Sequence, residues 1–253
     1  MTREAIHAYL ERIGAAEYTE PSVPALRALT RAHLERIPFE NLDTAGHPCP
    51  VSLREEDLLE KVAVRRRGGY CFELNKLFFL LLKELGYDCY PAAARILYRR
   101  TPPRPLSHRV TVVRLDGEKW LADVGYGGPG PKGALCLNGE RQEIAGEFFS
   151  TEIVEGEQVI YRHDPDETRK LISFRDEPWM EVDFETINGY YSLHPDSVFT
   201  QKTLVYRCIP DGQYALVDDT FSIQRLGRPT ESKTVSDPET RKQLLEEYFG
   251  LFV

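Results

Sequence analysis

The 253 residues of this chain predict an α+β fold, and three observations carry that expectation. Helical periodicity fills residues 1 to 86, alternating strand patterns fill the middle, and the remainder mixes short strands with a terminal helix. Helices and strands therefore come in blocks rather than alternating as βαβ units. No segment repeats, and no low-complexity tract interrupts the order.

The helices come first. In residues 2 to 13, Ile6, Tyr9, Leu10 and Ile13 fall on one face at helical spacing. A second helix, from about 22 to 36, has Ser22 and Pro24 as start signals and Val23, Leu26, Leu29, His33 and Leu34 along its length; Pro38 follows its end. A third is expected to open at "SLRE", with Ser52 and Glu55 as a capping box. The fourth runs from Cys71 and stops at Gly86.

Strands follow. "YPAAARILY" leads through a proline-rich loop, "RRTPPRPLS", into "HRVTVVRLDGEKWLADV", where Asp116-Gly117 is a two-residue hairpin turn. That turn sets 115 opposite 118, 113 opposite 120 and 110 opposite 123. Further strands fit "STEIVEGEQVIYRH" and "RKLISFRDEPWMEVDF". Strands in "TLVYRCIPDGQYALVDDTFSI" precede a terminal helix announced by Ser236, Pro238 and Glu239.

A net charge of −8 argues against a general nucleic-acid binder, which needs excess Lys and Arg to displace counterions. Cysteines 49, 71, 89, 136 and 208 are odd in number and irregular in spacing, so neither a disulfide framework nor a zinc site is expected. The histidines at 7, 33, 47, 163 and 194 have no metal-ligand arrangement, and no metal is expected. The charged N-terminus lacks a signal peptide's apolar segment. "LFFLLL", the longest apolar run, is too short to span a bilayer. A reducing cytoplasm is the simplest setting, with no membrane or nucleic-acid partner.

One stretch stands apart: "VRRRGGYCFELNKLFFLLLKELG", residues 64 to 86, places Cys71 between a Gly-Gly pair and a helix. A lone cysteine is most often buried and inert. A thiol in the first turn of a helix, however, sees the positive end of the helix dipole and unsatisfied N–H groups. Those features, and a neighbouring imidazolium, favour a thiolate well below the ordinary cysteine pKa of about 8.5. Gly68 and Gly69 are expected to give a sharp turn and room for a substrate. The hairpin register puts His108 and Asp123 on one face as diagonal neighbours, roughly 7–8 Å apart at the backbone. In isolation such a pair reads as a structural ion pair. Together with Cys71 it matches nucleophile, base and orienter.

At these residues the chain resembles the arylamine N-acetyltransferases, over nearly its whole length. "IPFENLD" (37 to 43), "RRRGGYCFELN" (65 to 75), "SHRV" (107 to 110) and "LADVGYGG" (121 to 128) are similar to that family's motifs in order and spacing. The resemblance places the family's catalytic cysteine, histidine and aspartate at Cys71, His108 and Asp123. It implies three parts: a helical bundle (1–86), a β-barrel (87–192) and an α/β lid (193–253), with a triad like that of cysteine proteases. It further implies acetyl-CoA as donor and ping-pong transfer to an aromatic amine, hydrazine or hydroxylamine. Two alternatives stay open. One is an amide synthase using another acyl thioester, to be separated by a donor panel. The other is a cysteine hydrolase, to be separated by CoA release without an amine.

Phe39 and Tyr126 are expected to line an aromatic acceptor pocket, with ordinary core packing as the alternative for Phe39. Gly125, Gly127 and Gly128 are expected near the donor, where backbone N–H groups could meet anionic oxygens. The family often has Gly at position 76 and Phe at 126; Lys76 and the Tyr126 hydroxyl, expected on the pocket wall, bear on substrate preference. Arg67 and Glu73, beside the thiol, are expected to organise the loop, a purely structural salt-bridge role being the better reading of each. Arg99, Arg100 and Arg104 read as solvated surface charge, with attraction of CoA phosphates as the alternative.

Overall fold

The computed structural model describes residues 1–99 and 105–252. Side-chain caps start the first two helices. In α1 (Arg3–Ile13) the Thr2 hydroxyl accepts the Ala5 N–H at 3.2 Å. In α2 (Val23–Arg36) the Ser22 hydroxyl accepts from Ala25 at 3.2 Å, with Pro24 in the first turn. Each cap stabilises its helix by about 1 kcal/mol. After the short strand β1 (Phe39–Glu40), the third helix differs from expectation. The Ser52 hydroxyl donates to Asp57 at 2.6 Å and accepts from Arg54, so no capping box forms. Helix α3 (Glu55–Leu59) begins three residues after Ser52 and passes into a π-helical turn, Glu60–Val64. Helix α4 (Cys71–Glu84) then starts at the cysteine and buries Phe72, Leu74, Leu77, Phe78, Leu81 and Leu82. Gly86, left-handed at φ 89°, follows its end.

The middle of the chain forms an eight-stranded antiparallel sheet. Its strands are β2 (Asp88–Ile96), β3 (His108–Leu115), β4 (Glu118–Ala122), β5 (Leu135–Cys136), β6 (Gln142–Ile144), β7 (Glu147–Val154), β8 (Glu157–His163) and β9 (Thr168–Phe174). They lie in the order β5-β4-β3-β2-β9-β8-β7-β6. The Gln142 side chain bridges the two edges, accepting from Cys136 N–H and donating to its carbonyl, which nearly closes a barrel. In the β3–β4 hairpin Thr111 faces Ala122 and Leu115 faces Glu118, as the turn predicts. Asp116 and Gly117 both have positive φ, 53° and 79°, the signature of a type I′ turn whose twist suits paired strands.

The expected strand in "RKLISFRDEPWMEVDF" ends at Phe174. Its last four residues open helix α5 (Glu181–Leu193) instead. "EVDF" alternates like a strand for one short stretch, but Phe184, Asn188 and Ser192 recur every fourth residue and are the buried face. Helix α6 (Val198–Gln201) follows. Strands β10 (Leu204–Ile209), β11 (Gly212–Val217), β12 (Thr220–Arg225) and β13 (Glu231–Thr234) then form a second antiparallel sheet. Its edge is β1, brought from the first part of the chain: Phe39 pairs with Tyr206 and Glu40 with Val205. Helix α7 (Pro238–Leu244), capped by Asp237, closes that layer. Among the described residues no helix is long and apolar enough to cross a membrane.

Candidate active site

Where α4, the β3–β4 hairpin and β1 meet, the sequence places its chemically capable side chains. Cys71 is the first residue of α4 and is buried. Its position is fixed from behind. The Gly69 carbonyl accepts the Glu40 N–H at 2.8 Å, which joins the preceding loop to β1. A Cβ on Gly68 would lie 2.0 Å from the Pro38 carbonyl oxygen, so the Gly-Gly pair serves close backbone packing. Neither glycine has positive φ. The left-handed residue of this loop is Arg66, at φ 55°.

Buried charge reinforces this loop. Glu73 accepts the Tyr70 N–H at 2.9 Å and pairs with Lys61 at 2.7 Å. Arg67 pairs with Glu40 at 2.8 Å and Asp43 at 2.9 Å. Burial pushes the Glu73 carboxyl upward against the pull of Lys61. Burial opposes the Lys61 charge, yet Glu73, Glu40 and Asp43 hold its pKa above the ordinary lysine value. Removing one member of such a network strands a buried charge, at a cost of about 3–5 kcal/mol.

His108 opens β3, and Asp123 follows the last residue of β4. His108 Nε2 lies 2.7 Å from Asp123 Oδ2, and both side chains are buried. Cys71 and His108 line the same cleft, and the sulfur favours the charged form of the imidazole. Cys71 Sγ lies 3.8 Å from the Ser107 carbonyl oxygen. Asp123 thus lies against the imidazole, and Cys71 and His108 face one cleft. Burial alone would lower the His108 pKa, but the Asp123 carboxylate, aided by the Cys71 sulfur, raises it to about 10. The other four thiols are all pushed up, first by burial, Cys89 to about 12 and Cys208 to about 11.

A cleft of about 440 Å³ opens onto Cys71 and His108. Its walls include Phe39, Tyr126, Phe199 and Tyr206, with Gly125, Gly127 and Gly128 along one side. Phe39 is largely buried in the core, its ring tilted against Phe199 and edge-on to Tyr206, so it packs and lines at once. The Tyr126 ring meets His108 edge-on at 5.8 Å. Its hydroxyl lies 3.4 Å from the Leu171 carbonyl oxygen. Gly125 packs on α4: a Cβ there would lie 2.7 Å from Cys71 Cα. Arg99 is exposed, as expected of surface charge, and also lines the cleft; Arg100 and Arg104 lie outside the described residues. Across Pro129, Gln213 and Gln224 the cleft adjoins a second one of about 630 Å³, walled in part by Lys132, Arg141, Arg162 and Arg225.

Sequence reasoning missed the far wall, built by Val198, Phe199, Leu204, Tyr206, Gln213 and Gln224. These residues lie over a hundred positions from Cys71; of them only Val198 and Phe199 fall in a stretch similar to the family, "NGYYSLHPDSVF" (188 to 199). It also missed Asn75, whose amide donates to Asp123 Oδ1 at 2.9 Å. Among the described residues no group of three or more His, Cys, Asp or Glu side chains could hold a metal ion.

Helical, barrel-like and sheet layers meet around these side chains, and comparison with known proteins gives the family. A family model described as N-acetyltransferase matches residues 22–253. The arylamine N-acetyltransferase / N-hydroxyarylamine O-acetyltransferase of Salmonella typhimurium is 34% identical, over 98% of this chain and 89% of its own length. The structure of the Mycobacterium marinum arylamine N-acetyltransferase in complex with CoA superposes with a TM-score of 0.90 at 32% identity, covering 97% of this chain and 92% of that one. The proansamycin X synthase of Amycolatopsis mediterranei is 29% identical, with 95% of each chain covered. This chain belongs to the arylamine N-acetyltransferase family and is an acyltransferase.

Proposed function

We propose that the protein moves an acetyl group from acetyl-CoA to the nitrogen of an arylamine, arylhydrazine or arylhydroxylamine through an acetyl-Cys71 intermediate. The observation that supports this reading most is that Cys71 and His108 both line one aromatic cleft, with Asp123 held 2.7 Å from the imidazole. Asp123 holds the His108 ring by Nε2, leaving the other nitrogen to serve the sulfur. Cys71 sulfur, as thiolate, attacks the thioester carbonyl carbon, and first-turn N–H groups of α4 meet the oxyanion. The C–S bond to CoA breaks as His108 gives its proton to the departing sulfur. The amine nitrogen then attacks the acetyl-cysteine, His108 takes the nitrogen's proton, and the Cys71 thiolate is restored. Phe39, Tyr126, Phe199 and Tyr206 suit an aryl ring and restrict water, which would otherwise hydrolyse the intermediate. Backbone along Gly125, Gly127 and Gly128 suits the anionic end of acetyl-CoA.

Full-length similarity to a synthase favours a second reading, the same thiol chemistry on a larger acyl thioester. A donor panel of acetyl-CoA and bulkier acyl thioesters separates the two. The first half-reaction is tested with acetyl-CoA and no amine: peptide mass mapping is expected to find one acetyl group, on Cys71. At mildly acidic pH a limiting dose of iodoacetamide should alkylate Cys71 first and abolish transfer in step, with acetyl-CoA protecting it. Faster labelling of Cys49, Cys89, Cys136 or Cys208, or acetylation elsewhere, would defeat the nucleophile assignment.

A further inference from the structure

Asn75 lies one turn along α4 from Cys71, fully buried, and its amide makes three hydrogen bonds. Nδ2 donates to Asp123 Oδ1 at 2.9 Å and to the Arg109 carbonyl at 2.5 Å. Oδ1 accepts the Val124 N–H at 2.9 Å. A buried amide with donors and acceptor all engaged can sit in only one orientation. Its partners flank the hairpin's open end: Arg109 follows His108, and Asp123 and Val124 lead out of β4.

The arrangement divides the Asp123 carboxylate into two halves. Oδ1 is occupied by Asn75 and by the Gly125 N–H at 2.9 Å, while Oδ2 is left to His108 at 2.7 Å. Because Asn75 and Cys71 share one helix, the bond also ties the carboxylate's aim to the sulfur's position. The fit is close on both sides: a Cβ on Gly125 would lie 2.7 Å from Asn75 Nδ2 and 2.7 Å from Cys71 Cα. Neutral amide is the chemistry this place requires. A cation here would compete with His108 for the carboxylate, and an apolar group would leave Oδ1 and the Val124 N–H short of partners.

We propose that Asn75 is a positioning residue: it fixes the Asp123 carboxylate so that one oxygen is reserved for His108, and acts on acetyl transfer only through that pair. This rests on the Cys71, His108 and Asp123 reading above.

The test is a double-mutant cycle on first-turnover CoA release from acetyl-CoA. Asn75→Ala alone is expected to slow release by about 30-fold, the scale of coupling within one hydrogen-bonded network. In an Asp123→Asn background the same change should cost less than about 3-fold, since the carboxylate it serves is already gone. Equal losses in the two backgrounds would mean a general structural role and overturn the proposal. Asp123→Asn with near-normal release would instead overturn the catalytic reading, so the two failures are distinct. Should Asn75→Ala fail to fold, NMR decides without an Asn75 variant. The side-chain amide protons of Asn75 are expected to exchange slowly in the intact chain and to shift on Asp123→Asn. Amide resonances unmoved by that substitution would overturn the proposal.

Discussion

Two histidines are fully buried in this molecule, and their surroundings push them in opposite directions. His33 lies in the helical part, where its Nδ1 meets the Tyr9 hydroxyl at 2.6 Å and its ring lies edge-on to Phe78. Burial, with Arg12 nearby, lowers its pKa to about 3, so it stays neutral. His108 is equally buried, yet the Asp123 carboxylate at 2.7 Å carries its pKa up to about 10. Burial alone thus makes a packed, neutral ring. A buried carboxylate converts the same ring into a cation beside a sulfur.

Replacing Asp123 by Asn breaks the comparison at its root, and should have the largest effect. An amide of the same shape keeps the packing but can neither stabilise imidazolium nor hold the ring's working tautomer. First-turnover CoA release should fall by about 10³–10⁴-fold, with the folded circular dichroism spectrum retained. Near-normal release would make Asp123 a structural residue.

The two rings should also leave opposite marks on stability. For His108 the folded pKa is above the unfolded value of about 6.5, so its contribution is fully present below pH 6.5. That contribution is lost as pH rises towards about 10. For His33 the folded pKa is below the unfolded value, so stability is lost as pH falls from about 6.5 towards 3, the unfolded chain binding the extra proton. Urea unfolding from pH 4 to pH 10 checks both. Relative to the unchanged protein, Asp123→Asn should flatten the alkaline limb and His33→Leu the acid limb. Parallel curves for either variant would mean that the corresponding ring is not the source.

The contrast between the two rings was only half legible in the sequence. His108 could be paired with Asp123 because an Asp-Gly turn fixes register, and register fixes which side chains share a face. The helix starting at Cys71 was equally local. What failed was whatever depended on packing between distant segments. Ser52 and Glu55 have capping spacing, but Asp57 offers the Ser52 hydroxyl a carboxylate and the box does not form. Residues 181–184 alternate like a strand, yet the burial of Phe184, Asn188 and Ser192 selects a helix. The pairing of β1 with β10, which carries Phe39 into the cleft wall, joins residues more than 160 positions apart and has no local signal. A glycine misleads in an informative way. Gly68 reads from sequence as room for a substrate, but a Cβ there would lie 2.0 Å from the Pro38 carbonyl oxygen.

The smallest expected effect concerns Tyr126, the aromatic neighbour that His33 has in Phe78 and His108 has at its own ring edge. From sequence its hydroxyl is expected to choose among acceptors by hydrogen bonding. In the structure that hydroxyl lies 3.4 Å from the Leu171 carbonyl oxygen on β9, beyond the usual range for an O–H donor. The group facing His108 is the ring itself, which Phe would supply equally. Tyr126→Phe should therefore change the preference between hydroxyl-bearing and plain anilines by less than about 0.5 kcal/mol, under the roughly 1 kcal/mol of one net hydrogen bond. Competition between the two acceptors for a limiting amount of acetyl-enzyme measures that preference directly. A loss of preference near the full hydrogen-bond value would place the hydroxyl in the cleft when an acceptor is bound.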